Sequence, residues 1–275
     1  MLRNFARNRS AIIGLIIVSV FVFVALAAPL LAPYDVYQMD MPNRLKPPTG
    51  AHWFGTDDFG RDLLTRILFG ARISLVVSLG TVSLAVLIGV SLGLASGYLG
   101  GATDIWLMRV VDVFLSFPAI LLALALVAVL GTGLANLILA LALVSWTTYA
   151  RVVRASTLAI KEEEYITAAR VVGVPTWRVL VRHILPNAAG PIIVIAALGM
   201  GNAVVAEAAL SFLGLGVQPP EPSWGTTLTF GLAFLREDPY LSTFPGLAIM
   251  LVVLGFNLLG DGLGDLLHAG KTSQI

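Results

Sequence analysis

Three histidines, a glycine-lysine-threonine triplet and scattered acids are all this 275-residue chain offers for conventional chemistry, since it contains no cysteine. Without cysteine there is no disulfide framework, no thiolate nucleophile and no thiolate metal site. His52, His183 and His268 fall on different connections of the topology derived below. They are too scattered to share a metal or to pair a base with a nucleophile, and no His-Glu-x-x-His occurs. Each reads as a surface histidine. Gly270-Lys271-Thr272 resembles the end of a phosphate-binding loop, but that pattern needs a glycine where Asp265 stands, Gly264 is one place too far, and no strand precedes it. The expectation is a chain with no nucleotide, cofactor, metal or catalytic site of its own.

The remaining polar residues fall into three groups. Charges inside apolar runs cost about 2.5 to 3.5 kcal/mol each at a span centre, so each needs a reason. Glu207, with Ser211 one turn later, is the main case. It is a candidate for the lining or gate of a pathway, or alternatively a hydrogen-bonded strut that fixes the next loop, and the strut is the favoured reading. Arg109 and Asp112, three apart on one helix face, suggest a local ion pair. Asp57, Asp58, Arg61 and Asp62 form either a patch for a delivering protein or a solvated loop.

The third group is the stretch Lys161 to Pro186, strongly charged and set between two oily runs. It predicts two short helices, Glu162 to Val172 ending at Gly173, and Pro175 to Ile184 stopped at Pro186. Glycine just past a helix end accepts a left-handed backbone, and proline at a first helical position gives up an N–H that has no partner there. Ala168, Ala169 and Gly173 are small enough for another protein to approach closely, and Arg170, Arg178 and Arg182 flank them. The unit reads as a docking knob, with a plain connector as the alternative.

What must position these residues is a membrane bundle. The chain is 57% hydrophobic and 12% charged, with a mean hydropathy of +0.90, where soluble domains carry roughly a quarter charged residues. The net charge of +1 and the absence of any basic, aromatic recognition motif argue against nucleic acid as a partner. Six runs approach the ~20 apolar residues a span needs: Ser10 to Pro33, Arg72 to Tyr98, Asp104 to Leu130, Leu134 to Tyr149, Gly190 to Leu213 and Phe244 to Leu267. The first is too long for the core of a secretory signal and reads as a retained helix. None alternates as barrel strands do, so the class is all-α and integral to the membrane. Leu63, Leu64, Ile67 and Leu68 at helical spacing suggest an amphipathic helix lying at the interface before the second span. Pro118 is expected to kink the third span. Gly80, Gly89, Gly93, Gly199 and Gly201 lie within spans, where small residues let helices pack closely.

Lys and Arg concentrate on one side if the N-terminus is cytoplasmic: Arg3, Arg7, Arg9, Arg109, Arg151, Arg154, Lys161, Arg170, Arg178, Arg182 and Lys271 fall inside, against Arg44, Lys46, Arg61, Arg66, Arg72 and Arg236 outside. Both termini and the 161–186 hairpin are then expected in the cytoplasm. The loops 34–72 and 214–243 face out, the second carrying a rigid Gln218 to Gly225 turn with an interfacial Trp224. The expected layout is an N-terminal part over residues 1–71, a five-helix core over 72–267 containing the loops 156–186 and 214–243, and a short tail over 268–275.

Ala168, Ala169, Gly173, Leu185 and Pro186 stand in the register Ala-Ala, three residues, Gly, then Leu-Pro. With HWFGTDDFGRDLLTRILFGARISL from His52, AEAALSFLGLGVQPPEPSWG from Ala206 and FPGLAIMLVVLGFNLLGDGL from Phe244, in that order, the chain resembles the permease subunits of ATP-binding-cassette importers of the dipeptide, oligopeptide and nickel group. Thr167 and His183 stand where the family's loop motif has Glu and Ile, and Glu164 lies one turn before Thr167. Gly264 stands where relatives often carry Arg.

The resemblance implies a six-span type I importer fold, di- or oligopeptides as cargo with nickel as the alternative, and a second homologous permease subunit. It also implies an extracytoplasmic substrate-binding protein and two cytoplasmic ATP-binding subunits, which hold the ATP and magnesium. By the same resemblance, Glu164, Tyr165, Thr167, Ala168, Ala169, Arg170, Gly173, Leu185 and Pro186 would couple to the ATPase.

Overall fold

The computed structural model describes residues 8–272, with side chains through residue 266. Arg3 and Arg7, and the side chains of His268 and Lys271, lie outside the described residues. Every element among the described residues is helical, apart from a lone β-bridge between Thr56 and Asp62. Among the described residues, five helices are long and apolar enough to cross a bilayer, and a bent pair makes a sixth.

The first span, α1 (Arg9–Leu31), starts where the Asn8 side chain accepts the Ala11 N–H, satisfying one of the orphan donors of a helix start. Asn8 also donates to Asp265 on the last helix, α10 (Tyr240–Thr272), so these two helices are tied at one end. Between them Gly14 and Gly262 admit backbone-to-backbone approach: a Cβ on Gly14 would stand 2.4 Å from the Leu259 nitrogen.

The next helix, α2, runs Leu63–Leu99 without interruption. The separate interfacial helix expected from Leu63, Leu64, Ile67 and Leu68 does not exist. Its residues are the first turns of the span, capped by Asp62, which accepts from the N–H and hydroxyl of Thr65, and Leu63 and Arg66 are buried. The preceding acids are not a surface patch either. Asp57, Arg61 and Asp62 are each 4% exposed: Asp57 accepts from the backbone N–H groups of Phe59 and Arg61 and from Arg61 Nε at 2.7 Å. Arg61, Arg66 and backbone N–H groups take up the charges of Asp57 and Asp62 internally, which composition alone does not reveal.

The third run is broken rather than kinked. Helices α3 (Gly101–Leu115) and α4 (Ala119–Leu130) meet at 90°. Pro118 supplies no N–H and disfavours helix at Phe117, and its own ψ of 125° sends the chain out of the helical path.

The fourth span, α5 (Leu134–Ile160), continues well past its expected end at Tyr149. Its arginines find acids on α3. Arg154 forms a two-pronged pair with Asp104 at 2.5 and 2.6 Å, and Arg151 pairs with Asp112 at 2.7 Å. Asp112 therefore does not pair with its helix neighbour Arg109. The α2–α5 contact is the most extensive in the fold, and Gly89, Gly93 and Gly97 make it possible. A Cβ on Gly93 would meet the Ala150 carbonyl oxygen at 2.6 Å.

After α6 (Glu164–Val171) comes α7 (Thr176–Val179), which passes through a wide π-type turn (Leu180–Ile184) directly into α8 (Leu185–Phe212). Pro186 does not stop the helix as expected. The bond from Leu185 N–H back to the Leu180 carbonyl spans five residues, and this wide turn relaxes the ladder where a proline ring would collide with it. Residues 176–212 therefore behave as one long helix. On the far side, α9 (Trp224–Leu232) lies inside the loop between α8 and α10. Trp224 is not interfacial. It is 2% exposed, donates from its indole to the Ile67 carbonyl at 3.0 Å, and fills space that Gly70 leaves open.

Candidate functional site

The hairpin is built on a small core that it shares with the ends of the spans. Ile166, Val179 and Ile184 are fully buried and pack with Leu94, Val153, Ala188 and Ile192 of α2, α5 and α8. Gly173 closes α6 in the left-handed region at φ +82°, with the Val174 N–H returning to the Ala169 carbonyl and the Gly173 N–H to Arg170. Ile166 is the anchor that sequence reasoning missed. Its signal was a lone aliphatic residue in the charged turn EEEYITAAR.

Around that core the expected coupling residues stand outward. Glu164, Thr167, Ala168, Arg170, Gly173 and Pro186 are exposed, while Ala169 and Leu185 are half-buried. Glu164 and Thr167 lie one turn apart on α6. Tyr165 is exposed, near the His183 ring, and its hydroxyl accepts from Asn187. The Arg170 guanidinium lies 4.9 Å over the Tyr98 ring, pinning α6 to the end of α2. Val171 and Val172 are more than 80% exposed and Trp177 62%. A folded hairpin that leaves such side chains in water is shaped to be covered.

Between α3–α4, α5 and α8 lies a cavity of about 580 Å³. Its wall is mainly aliphatic and aromatic, with Thr81, Ser145, Thr147, Thr148, Tyr149 and Asn202 as its polar groups, and among the described residues no carboxylate, guanidinium or ammonium lines it. The Tyr149 hydroxyl occupies the space where a Cβ on Gly199 would sit, so α5 and α8 meet closely behind the wall.

Glu207 and Ser211 are placed away from that cavity, although Ala203, Ala206 and Leu210 on the same helix line it. Glu207 is wholly buried. Its Oε1 accepts from Ser211 at 2.9 Å and from Ser223 at 2.8 Å, and its Oε2 accepts from Ser74 at 3.2 Å. Each of the two hydroxyl oxygens on Oε1 also accepts a backbone N–H, from Val217 and from Gly225, which fixes its position beside the carboxylate. One carboxylate thereby joins α2, α8 and the turn that launches α9. Ser74 and Ser223 were not singled out from the sequence. Their spacing from Glu207 carries no periodic signal.

Outside the spans, Tyr37 donates to Glu221 and its phenol is pushed up by burial and by that carboxylate. Burial, and then the charge of Asp57, push the Asp58 carboxyl above its ordinary value against the pull of Arg61.

Residues 85–272 match the family described as "Binding-protein-dependent transport system inner membrane component", and residues 1–48 match the "N-terminal TM domain of oligopeptide transport permease C". Among similar proteins, the dipeptide transport system permease protein DppC of Alkalihalophilus pseudofirmus is 47% identical over 96% of this chain and 87% of its own. The glutathione transport system permease protein GsiD of Pectobacterium atrosepticum is 44% identical over 96% and 88%. The oligopeptide transport system permease protein OppC of Bacillus subtilis is 42% identical over 97% and 87%. With an all-helical bundle, an exposed hairpin and these matches along nearly its whole length, the chain belongs to the binding-protein-dependent transport system inner membrane components, the multi-pass permeases of ATP-binding-cassette importers.

Proposed function

We propose that this permease carries di- or oligopeptides inward as one half of a pathway completed by a second homologous permease subunit. Two cytoplasmic ATP-binding subunits grip the hairpin and hold the ATP and magnesium, so hydrolysis belongs to them and this chain is not an enzyme. An extracytoplasmic binding protein delivers cargo to the outer loops. Both termini and the hairpin lie in the cytoplasm, as the distribution of Lys and Arg favours.

The observation that carries this reading is the continuity of residues 176–212. One end of that helix is in the exposed hairpin, and its middle, at Ile195, Asn202 and Ala206, walls the cavity. Whatever moves the hairpin moves the wall. ATP-driven closure of the ATPase pair would then bias the spans toward opening outward, and hydrolysis would reset them, a two-state element driven from a second site. Glu164, Tyr165, Thr167, Ala168, Ala169, Arg170 and Gly173, with Leu185 and Pro186, are the contacts assigned to the ATPase.

Peptide is preferred to nickel because the three relatives named above are dipeptide, oligopeptide and glutathione permeases. In a deletion strain, growth on peptides should fail; loss of nickel-dependent enzyme activity alone would sink the peptide reading. For the machine itself, tagged protein should bring down an ATPase, and Gly173→Asp should abolish import. Absence of the ATPase together with intact import would end the importer reading.

A further inference from the structure

We propose that Asp112 and Arg151 form a charged step at the inner mouth of the cavity, receiving the ammonium and carboxylate termini of a zwitterionic peptide as it leaves the uncharged chamber. This rests on the peptide reading and on the inward orientation given above.

The placement follows from helix geometry. Leu115 on α3 and Thr148 on α5 line the cavity. Asp112 precedes Leu115 by three residues and Arg151 follows Thr148 by three, so each stands on the same face one turn, about 5 Å, beyond the wall. They meet there at 2.7 Å across the gap between the helices. Within the chamber a peptide's termini find only neutral partners such as Ser145, Thr148 and Asn202, which serve a full charge poorly. Among the described residues, the first ion pair beyond the wall toward the hairpin end of α3 and α5 is this one.

The neighbouring pair has a different character. Arg154 and Asp104 are two-pronged, 32% and 20% exposed, and joined by the Ser96 hydroxyl, an arrangement that ties α2, α3 and α5 together. Arg151 and Asp112 share one contact and are 53% and 51% exposed. A single-contact ion pair left this uncovered by its own chain contributes little to stability and parts readily. Exchange also leaves no charge unpaired: the peptide ammonium takes Asp112, its carboxylate takes Arg151, and the two side chains rejoin after release. The termini of an extended dipeptide stand about 7 Å apart, a separation the two side chains reach by swinging apart on fixed helices. Arg109, one turn beyond Asp112 and exposed, extends the charged strip.

The complete transporter, reconstituted in proteoliposomes with its ATPase subunits and binding protein, tests this with labelled di- and tetra-alanine. The double variant Asp112→Asn/Arg151→Gln keeps both positions polar and able to hydrogen-bond but removes both charges. It should slow import about tenfold or more, with binding-protein-stimulated ATP hydrolysis retained. The exchanged variant Asp112→Arg/Arg151→Asp should recover import to within about threefold of wild type, a difference of under ~1 kcal/mol. Wild-type import by the neutral variant overturns the step and leaves the pair a spacer. An exchanged variant as slow as the neutral one overturns it as well. Wild-type complex that imports neither peptide defeats the peptide reading itself, and the step with it.

Discussion

The Ser223 hydroxyl donates to Glu207 Oε1 at 2.8 Å, joining the start of α9 to the interior of α8 with no cation beside the acid in the hydrogen-bond set. The same oxygen accepts from Ser211, and the other from Ser74, so three elements converge on one side chain. That convergence allows the acid to be tested by shape and charge separately.

Glu207→Gln keeps an oxygen for Ser211 and Ser223 and turns an amide donor toward Ser74, whose hydroxyl can accept. It should lower the unfolding midpoint in detergent by only a few degrees and preserve import. Glu207→Ala takes the acceptor from three hydroxyl donors, Ser74, Ser211 and Ser223, and opens a cavity, at a cost of about 3 to 5 kcal/mol. A thermal unfolding series on the purified complex reads the contrast. Equal losses for both variants would mean that the negative charge itself, and not the hydrogen-bond geometry, is required.

Gly93→Leu should block assembly of the bundle. Even a Cβ there would lie 2.6 Å from the Ala150 carbonyl, which is backbone and cannot step aside. Forcing α2 and α5 apart costs more than a typical core overpacking of ~1 to 3 kcal/mol. Yield of folded protein by size exclusion is the readout. Leu87→Ala, at an exposed position on the same helix, is the control and should leave the yield unchanged.

Ile166→Asp should detach α6 from the hairpin core while leaving the spans intact. A carboxylate in the place of a fully buried isoleucine lacks any partner among Val179, Ile184 and Leu94. The expected result is normal membrane insertion with ATPase capture reduced by more than about tenfold, equivalent to a loss above ~1.4 kcal/mol. Thr167→Glu combined with Glu164→Ala addresses the grip itself. If the acidic role has passed to Glu164, Glu164→Ala lowers transport-coupled ATP hydrolysis and Thr167→Glu restores it.

Asp58 predicts a pH effect of definite sign. Its carboxyl is raised in the folded chain, by burial first and Asp57 second. The folded state therefore holds that proton more tightly than the unfolded one. Its contribution is most favourable below the ordinary carboxylate value near ~3.9 and is lost as pH rises through the folded value. At neutral pH the group is a liability, and its Oδ1 has no hydrogen-bond partner. Asp58→Asn should raise the unfolding midpoint at neutral pH by the equivalent of under ~1 kcal/mol, a figure kept small by solvent screening. The gain should disappear toward pH 4. A gain that grows on acidification would contradict the assignment.

The apolar runs that cross the bilayer, the class and the wet hairpin were set by the sequence alone, but not where the helices break or end. A bilayer requires some twenty apolar residues whose backbone satisfies its own hydrogen bonds, and that demand is local. The left-handed close at Gly173 is equally local, because glycine lacks the Cβ that forbids it. Tertiary structure decided what depends on distant partners. Asp112 turned from Arg109, three residues away, to Arg151, 39 residues away, because two helices cross there. Trp224 left the interface for a carbonyl 157 residues earlier, since Gly70 opened a slot for it. Glu207 acquired two of its three serines, Ser74 and Ser223, from other segments of the chain. Pro186 failed to end its helix because a wide turn upstream relieved the clash. In each case composition supplied the charge, ring or proline, and packing chose what it would meet.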